Sequence, residues 1–263
     1  MQLEGMPVDA GEVRSLALYN YGHFTSMRVE EMRVRGLSMH LDRLNRDSAI
    51  LFGKDVGSDR VRDLVRKALN GKVDPITARV TVFAPDFDMS NPSTPCDTKV
   101  LVTTRNAAPA ISQSPLKVQS TVYQRDLPQV KHVGLFGQLQ LRRSAQLEGY
   151  DDTLFVDNRG AISEGATWNI AFVKAGRVIW PESEILPGVT MRIVRELLSA
   201  QGIEWADKQI TLSDVAEMDS AFATNAATGV RPISQIDGTA FDVNAQMLTV
   251  VREAYWATEG EPL

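Results

Sequence analysis

The sequence predicts a protein of mixed helices and strands, of the α/β or α+β class, built as two domains. The first observation is size, because 263 residues, of which 43% are hydrophobic, can bury a sizeable core. The second is that helix-like and strand-like patterns occur in two separate blocks. The third is a stretch of small and polar residues with two prolines between those blocks, as in a linker. We therefore predict an N-terminal domain at 1–106, a linker at 107–116 and a larger C-terminal domain at 117–263.

The N-terminal block alternates helix and strand signals. Two apolar stripes recur at helical spacing, and two later segments alternate apolar with polar residues as half-buried strands do. Ser38 and Ser58 are candidate N-caps, and Gly53 and Gly71 are candidate stop signals. The predicted elements are helices over 37–53 and 58–71 and strands over 77–83 and 99–104.

The C-terminal block combines hairpins with helices. Turn residues at 157–160 and at 174–177 each separate two strand-like segments, so antiparallel pairing is expected in both places. The other predicted elements are a strand over 117–123 and helices over about 137–148, 190–200 and 243–257.

Composition and charge exclude several classes of function. The net charge is −5, whereas nucleic-acid binders usually carry a basic surplus, and no apolar run approaches the ~18 residues that span a bilayer. We therefore expect a small-molecule partner, and neither nucleic acid nor membrane. The three histidines lack metal-ligand spacing, so no metal is expected. A single cysteine, Cys96, and an N-terminus unlike a signal peptide favour a cytoplasmic location.

Two segments carry a candidate nucleophile and a candidate buried acid. Lys131 lies in the apolar stretch PQVKHVGLFG, and a desolvated lysine can attack carbonyls, although most lysines are simply exposed. Glu164 lies among small and apolar residues in ISEGATWNI. A buried carboxylate there would need a cationic partner such as a protonated pyridine nitrogen, whereas a turn acid that faces water is the simpler interpretation.

Two further segments suit a phosphate group. The Pro187-Gly188 turn runs directly into a predicted helix, whose first N–H groups can hold an anion. Thr190 could add a hydroxyl or could merely cap that helix. Arg43, in the segment HLDRL, offers the planar donor fork that suits phosphate, but a solvated helix arginine would look the same.

The ordered set of these segments resembles one family, the class IV aminotransferases, which are pyridoxal-phosphate enzymes of fold type IV. The four segments that carry the resemblance are HLDRL at 40–44, VK at 130–131, SEGATWNI at 163–170 and LPGVT at 186–190. Weaker similarities lie at 21–28, similar to the family's F-E-T-x-R segment, at 149–154, similar to G-x-D-E-A-L, and at 222–232, similar to its late phosphate-side loop. The family includes branched-chain and D-amino-acid aminotransferases and aminodeoxychorismate lyase.

The resemblance implies a small N-terminal α/β domain, a larger C-terminal domain with a pseudo-barrel of mixed strands, a homodimer, and pyridoxal 5'-phosphate as the cofactor. Lys131 would hold that cofactor as a Schiff base and shuttle protons, while Glu164 would pair with the pyridine nitrogen and keep it cationic. Leu186 would pack on the ring. The other residues that the resemblance assigns to the cofactor, mostly to its phosphate, are Arg43, Gly188, Val189, Thr190, Asn225 and Ala226.

The substrate half of the implied site departs from the family. Thr25 stands where many members carry a glutamate, Ala226 where a hydroxyl residue is common, and Phe136 where branched-chain enzymes carry a tyrosine. The substrate candidates are Tyr21, His23, Arg28 and Arg79, although each arginine could equally form a structural ion pair.

The resemblance therefore favours a transaminase that moves an amino group from an amino acid or amine to a 2-oxo acid. A lyase of the same fold, which releases pyruvate, is the near alternative because it would share every cofactor contact. A non-catalytic member that acts as a binding protein is the alternative of another class, although it would have no need of both Lys131 and Glu164.

Overall fold

The computed structural model describes residues 1–107 and 114–263, and the chain forms two compact units. The first unit holds the described residues of Met1–Ala108 together with Val130–Gly134 and Glu259–Leu263. The second holds the described residues of Pro109–Gln129 together with Leu135–Thr258. The domain boundary at 107–116 stays a prediction, because 108–113 lie outside the described residues.

The secondary structure follows the predicted mixture. The strands are β1 (Gln2–Leu3), β2 (Met6–Pro7), β3 (Gly22–Glu30), β4 (Arg33–Val34), β5 (Ile76–Phe83), β6 (Lys99–Asn106), β7 (Leu116–Val122), β8 (Asp152–Val156), β9 (Ile162–Gly165), β10 (Asn169–Lys174), β11 (Arg177–Pro181), β12 (Trp205–Lys208), β13 (Ser220–Asn225), β14 (Gly229–Ile236), β15 (Thr239–Ala240) and β16 (Glu261–Pro262). The helices are α1 (Arg14–Tyr19), α2 (Leu37–Phe52), α3 (Ser58–Leu69), α4 (Phe136–Leu147), α5 (Val189–Ala200) and α6 (Gln246–Ala257). Within the described ranges, no helix is both long and apolar enough to cross a membrane.

A seven-stranded sheet with the order β16-β4-β3-β5-β6-β1-β2 organises the first unit. Its residues alternate between faces, as strand geometry requires. One face carries Met27, Val29, Val80 and Val102, which join apolar residues of α2 and α3 in the core. The other face of β3, β5 and β6 is more polar and carries the side chains of odd-numbered β5 residues, including Arg79.

A closed ring of six strands forms the centre of the second unit. The ring runs β7-β8-β9-β10-β13-β14 and closes because β9 pairs with both β8 and β10 while β14 pairs with β7. The pairs β7–β8 and β14–β7 are parallel and the rest are antiparallel, which confirms a pseudo-barrel of mixed strands. Buried Leu154, Ile170, Phe172 and Ile233 belong to its core, and closure leaves these six strands without a free edge.

The helix ends show where local signals were insufficient. Gly53 ends α2 with a left-handed φ of 73°, as predicted. The predicted N-caps were wrong, because Gly36 and Gly57 hold the cap positions of α2 and α3. Ser38 lies inside α2, where its backbone N–H and hydroxyl both donate to Glu261. That partner lies 223 residues away in the sequence, so no local pattern could have indicated it.

Candidate functional site

The segment that carries Lys131 is built into the first unit as an extra rung beside β3. His23 and His132 form an antiparallel bridge, Phe24 N donates to Lys131 O at 2.9 Å, and Val133 N donates to Gly22 O at 2.9 Å. On its other side, the Lys131 N–H donates to Asp47 Oδ2 of α2 at 2.9 Å. Both backbone polar groups of Lys131 are therefore fixed.

The Phe24 ring, on the polar face of this sheet, is approached by the side chains of Lys131 and Arg79. The Lys131 Nζ is 4.9 Å from the centre of the Phe24 ring, and the Arg79 guanidinium carbon is 3.6 Å from it. Burial, followed by the charge of Arg105, lowers the pKa of Arg79 below its usual value. The structure thus brings the candidate substrate residue Arg79 to the same ring as Lys131.

Arg43 belongs to a buried hydrogen-bond network on the opposite face of β3. Its Nη2 donates to Thr25 Oγ1 and lies 3.3 Å from His40 Nδ1, while Thr25 Oγ1 lies 2.7 Å from the same ring nitrogen. Burial, then the charges of Arg43 and Lys131, hold the pKa of His40 well below its usual value. A neutral imidazole can accept a hydrogen bond from the Thr25 hydroxyl. At the position where many family members carry a glutamate, an uncharged threonine side chain thus joins His40 to Arg43.

The remaining first-unit candidates divide by their contacts. His23 is fully buried, and burial followed by the charges of Arg43 and Arg46 lowers its pKa to about 3. Tyr21 stacks on Phe87 with ring centres 4.4 Å apart, and its hydroxyl donates to the Leu51 carbonyl at 3.2 Å.

Arg28, the last of the four substrate candidates, forms an ion pair. Its Nε and Nη2 contact the same oxygen of Glu30, both at 2.9 Å, and its side chain is buried. The structural ion pair that the sequence left open is thus present, whereas no ion pair of this kind is found for Arg79 among residues 1–107 and 114–263.

Glu164 is buried in the second unit, so the simpler interpretation of a turn acid that faces water was wrong, and its cationic partner was not apparent from the sequence. Arg125 Nη1 donates to Glu164 Oε1 at 3.0 Å, and the two side chains are only 5% and 7% exposed. Arg125 Nη1 also donates to the Pro128 carbonyl at 3.2 Å.

The turn that precedes α5 is anchored to the same acid. Leu186 N approaches the two Glu164 oxygens at 3.4 and 3.3 Å, and Asn169 Nδ2 donates to the Leu186 carbonyl at 2.8 Å. A Cβ at Gly188 would lie 2.2 Å from Asn169 Oδ1, so only glycine fits there.

The N-terminus of α5 presents backbone donors beside buried hydroxyls. Gly188 is its N-cap and supplies no side-chain cap, which leaves the first N–H groups, at Val189 and Thr190, without intrahelical partners. Thr190 is buried, and its hydroxyl is 3.5 Å from that of Tyr255. Thr224, in register with Asn169, has a buried hydroxyl that makes no hydrogen bond within 1–107 or 114–263.

Two late candidates lie at the end of the barrel strand β13, with Asn225 as its last residue and Ala226 directly after it. Asn225 Oδ1 accepts the Ala227 N–H, the Thr228 N–H and the Thr228 hydroxyl, each at 2.9 Å, so this side chain organises its own loop. Ala226 lies within that loop and has no side-chain donor. Phe136, at the position of the family's tyrosine, begins α4 and is 82% exposed.

A family model described as amino-transferase class IV matches residues 22–236. The chain belongs to the class IV aminotransferase family. The motifs at 40–44, 130–131, 163–170 and 186–190 all lie within the matched range.

Relatives of known name cover parts of the chain. A putative branched-chain-amino-acid aminotransferase of Methanocaldococcus jannaschii is 32% identical over 113 residues, which is 42% of this chain and 39% of that protein. The branched-chain-amino-acid aminotransferase of Pseudomonas aeruginosa is 34% identical over 91 residues, 34% of this chain and 30% of that protein. The chain thus aligns with well under half the length of these class IV relatives.

Solved structures share the whole fold. A branched-chain aminotransferase from Thermoproteus uzoniensis superposes with a TM-score of 0.87 at 22% identity, covering 97% of this chain and 92% of that one. A putative 4-amino-4-deoxychorismate lyase from Legionella pneumophila superposes with a TM-score of 0.80 at 19% identity, covering 93% and 92%. At these identities, the similarity establishes fold type IV and leaves the reaction open.

Proposed function

We propose that the protein is a pyridoxal-phosphate-dependent aminotransferase that moves an amino group between an amino acid, or an amine, and a 2-oxo acid. The observation that carries this proposal is the placement of Lys131: its backbone is fixed on both sides and its amine lies over the Phe24 ring. The family and its branched-chain relatives support the same reaction.

The residues present fit the cofactor. Within the second unit, the cradle at Gly188, the first N–H groups of α5 and the Thr224 hydroxyl, which has no hydrogen-bond partner among the described residues, suit a phosphate group. Arg43 is the further phosphate contact that the resemblance implies. A carboxylate can accept about four hydrogen bonds, so Glu164 can hold Arg125 and still accept a hydrogen bond from a protonated pyridine nitrogen. When bound, pyridoxal phosphate supplies an electron sink for the carbon that loses its proton.

The chain's own groups perform the remaining tasks. We propose that Lys131 Nζ would hold the cofactor covalently at its aldehyde carbon, and that the same amine, when not so bound, would carry the proton at the substrate carbon. Glu164 fixes a negative charge at the ring nitrogen, and Leu186 packs on the ring. Asn225 and Ala226 add backbone contacts to the phosphate.

We propose that Arg79 binds the substrate carboxylate. Its guanidinium carbon lies 3.6 Å from the centre of the Phe24 ring, which Lys131 Nζ also approaches, and the residue is partly buried. The contacts of Tyr21 and Arg28 favour structural roles for those two candidates, whereas buried His23 stays a candidate for contact with the substrate. The Arg79→Gln variant is expected to raise the KM for amino donors that carry a carboxylate by about tenfold or more and to alter kcat less.

The decisive experiment supplies the purified protein with pyridoxal phosphate and reduces it with borohydride. A stable cofactor adduct on the Lys131 peptide in the mass spectrum, absent in Lys131→Ala, supports the proposal. A panel of L- and D-amino acids and amines should then convert the bound cofactor to its amine form and discharge it on a 2-oxo acid.

The two alternatives give different results in the same assay. A lyase would release pyruvate from its donor and keep the aldehyde form of the cofactor. A non-catalytic member would take up no cofactor, or would hold it unchanged by every donor. Either outcome would refute the transaminase proposal.

We further propose a homodimer in the cytoplasm. Large apolar side chains on α4, Phe136, Leu139 and Leu147, are 82%, 48% and 71% exposed, which suits burial against a second copy. A single cysteine accords with a reducing compartment. Sedimentation equilibrium tests the dimer, and a mass of one chain at micromolar concentration would contradict it.

A further inference from the structure

We propose that Asp47 is a positioning residue, whose buried carboxylate holds the Lys131 N–H and so fixes the point from which the lysine amine reaches the reacting atoms. The inference rests on the proposed function for its chemical meaning, because Lys131 must be the reacting lysine. Its geometric part concerns residues of the first unit alone and can be tested without cofactor.

The short backbone pairing of residues 131–133 with β3 explains why the Lys131 N–H needs an acceptor from outside that pairing. Phe24 and Lys131 lie opposite each other, next to the bridge between His23 and His132. Opposite residues of this kind regularly exchange two backbone hydrogen bonds. Here Phe24 N donates to Lys131 O, and the N–H of Lys131 donates at 2.9 Å to Asp47 Oδ2. A helix side chain thus takes up the N–H at the end of the ladder.

The carboxylate is well suited to hold that position. Asp47 is fully buried, and its other oxygen, Oδ1, accepts Arg46 Nη2 at 2.7 Å and Arg46 Nε at 3.1 Å. Each oxygen therefore has its own partner, which orients the carboxyl plane. Hydrogen bonds from a backbone N–H to an ionised carboxylate are about twice as strong as neutral ones.

The position of Asp47 on α2 gives the contact a further consequence. His40, Arg43 and Asp47 follow one another at helical spacing and share one face of α2. Arg43 is the proposed phosphate contact, and about 6 Å of helix separates it from Asp47. One rigid helix would thereby set the spacing between the phosphate contact and the lysine backbone.

The first experiment measures hydrogen exchange of the Lys131 amide in the protein without cofactor, by NMR or by mass spectrometry with electron-transfer fragmentation. Asp47→Ala should speed this exchange by about tenfold or more, because the donor loses a charged acceptor. Asp47→Asn keeps an acceptor oxygen and should restore most of the protection. Asp42→Ala, at an exposed position of the same helix, is the matched control and should change nothing.

Each outcome decides the geometric claim. Unchanged exchange in Asp47→Ala overturns it, and so does a uniform rise across all α2 amides, which would indicate general destabilisation. Equal exchange in Asp47→Asn and Asp47→Ala would overturn the hydrogen-bond explanation. If Asp47→Ala does not fold, Asp47→Glu shifts the oxygens by one methylene and should raise Lys131 exchange in the same direction.

The second experiment uses the holoenzyme and separates positioning from simple stability. Misplacing a reacting group by about 1 Å can cost on the order of 100-fold in rate, so Asp47→Ala should lower kcat by about 10- to 100-fold and leave the donor KM nearly unchanged. Asp47→Asn should recover most of kcat. A rise in KM alone would contradict the positioning role.

The two experiments distinguish failure of this inference from failure of the proposed function. If borohydride attaches no cofactor to Lys131 in the wild type, the proposed function fails even where the exchange result holds. If the cofactor attaches normally but the hydrogen-exchange rate of the Lys131 amide is the same in the Asp47 variants as in the wild type, only the positioning role fails.

Discussion

Removing the Glu164 side chain should destabilise the second unit far more than removing an exposed acid. Glu164 and Arg125 are 7% and 5% exposed, and the pair is joined at 3.0 Å. Breaking a buried ion pair from one side typically costs about 3–5 kcal/mol, because the other charge stays buried without its counter-charge. We therefore expect Glu164→Ala to lower the free energy of unfolding of the cofactor-free protein by about that amount.

Three comparisons make this prediction specific. Glu164→Gln keeps the oxygen that accepts from Arg125 and should lose less. The double variant Glu164→Leu with Arg125→Met removes both charges and should recover much of the loss. Glu217→Ala breaks the exposed pair with Lys174, whose side chains are 65% and 43% exposed, and should cost no more than about 1 kcal/mol.

Urea unfolding followed by tryptophan fluorescence measures these differences. The reasoning is refuted if Glu164→Ala loses no more free energy than Glu217→Ala. It is refuted equally if the double variant is less stable than Glu164→Ala alone, because the loss would then come from packing rather than from an uncompensated charge.

Three other predictions concern pH, packing and the turn before α5. The pKa of His23 is about 3 in the folded chain and about 6.5 in the unfolded chain, so the unfolded chain binds the extra proton and acid favours unfolding. Between about pH 6 and 4, His23→Gln should therefore reduce the slope of the unfolding free energy against pH by about 1.4 kcal/mol per pH unit. An unchanged slope would contradict this. Phe172→Ala in the barrel core should cost about 3–5 kcal/mol, against less than about 0.5 for Val73→Ala at a side chain that is 81% exposed, and similar urea midpoints would refute it. Gly188→Ala forces Asn169 aside and should weaken pyridoxal-phosphate affinity at least about tenfold in a fluorescence titration, whereas wild-type affinity would show that the turn tolerates a Cβ.

The elements with strong local periodicity could be predicted closely. The helix predicted over 37–53 is observed at Leu37–Phe52, and the strand predicted over 77–83 at Ile76–Phe83. Both hairpins occur where turn residues indicated them. The spacing of apolar residues and the glycines that end helices are features of a few neighbouring residues, so they can be identified from the sequence alone. The N-cap prediction at Ser38 failed because left-handed Gly36 caps α2, which leaves Ser38 inside the helix, where it donates to the remote Glu261.

The site shows the same division. Lys131 and Glu164 stood out because a lysine and an acid were each set among apolar or small residues. Asp47 and Arg125 did not stand out, since a helix aspartate and a loop arginine are ordinary until folding brings them within 3.0 Å of their partners. In the sequence, Thr25 is only the absence of the family's glutamate, whereas the structure shows that its hydroxyl contacts both His40 and Arg43.

By itself, the sequence determined the mixed fold class, most of the regular elements and the family, because periodicity, turn residues and ordered motifs are properties of short segments. The tertiary structure alone decided that six strands close into a ring, that residues 130–134 join the first unit, and that a helix carboxylate holds the Lys131 backbone. Those features depend on which distant backbone groups satisfy one another's hydrogen bonds, and the spacing of residues along a chain does not encode that choice.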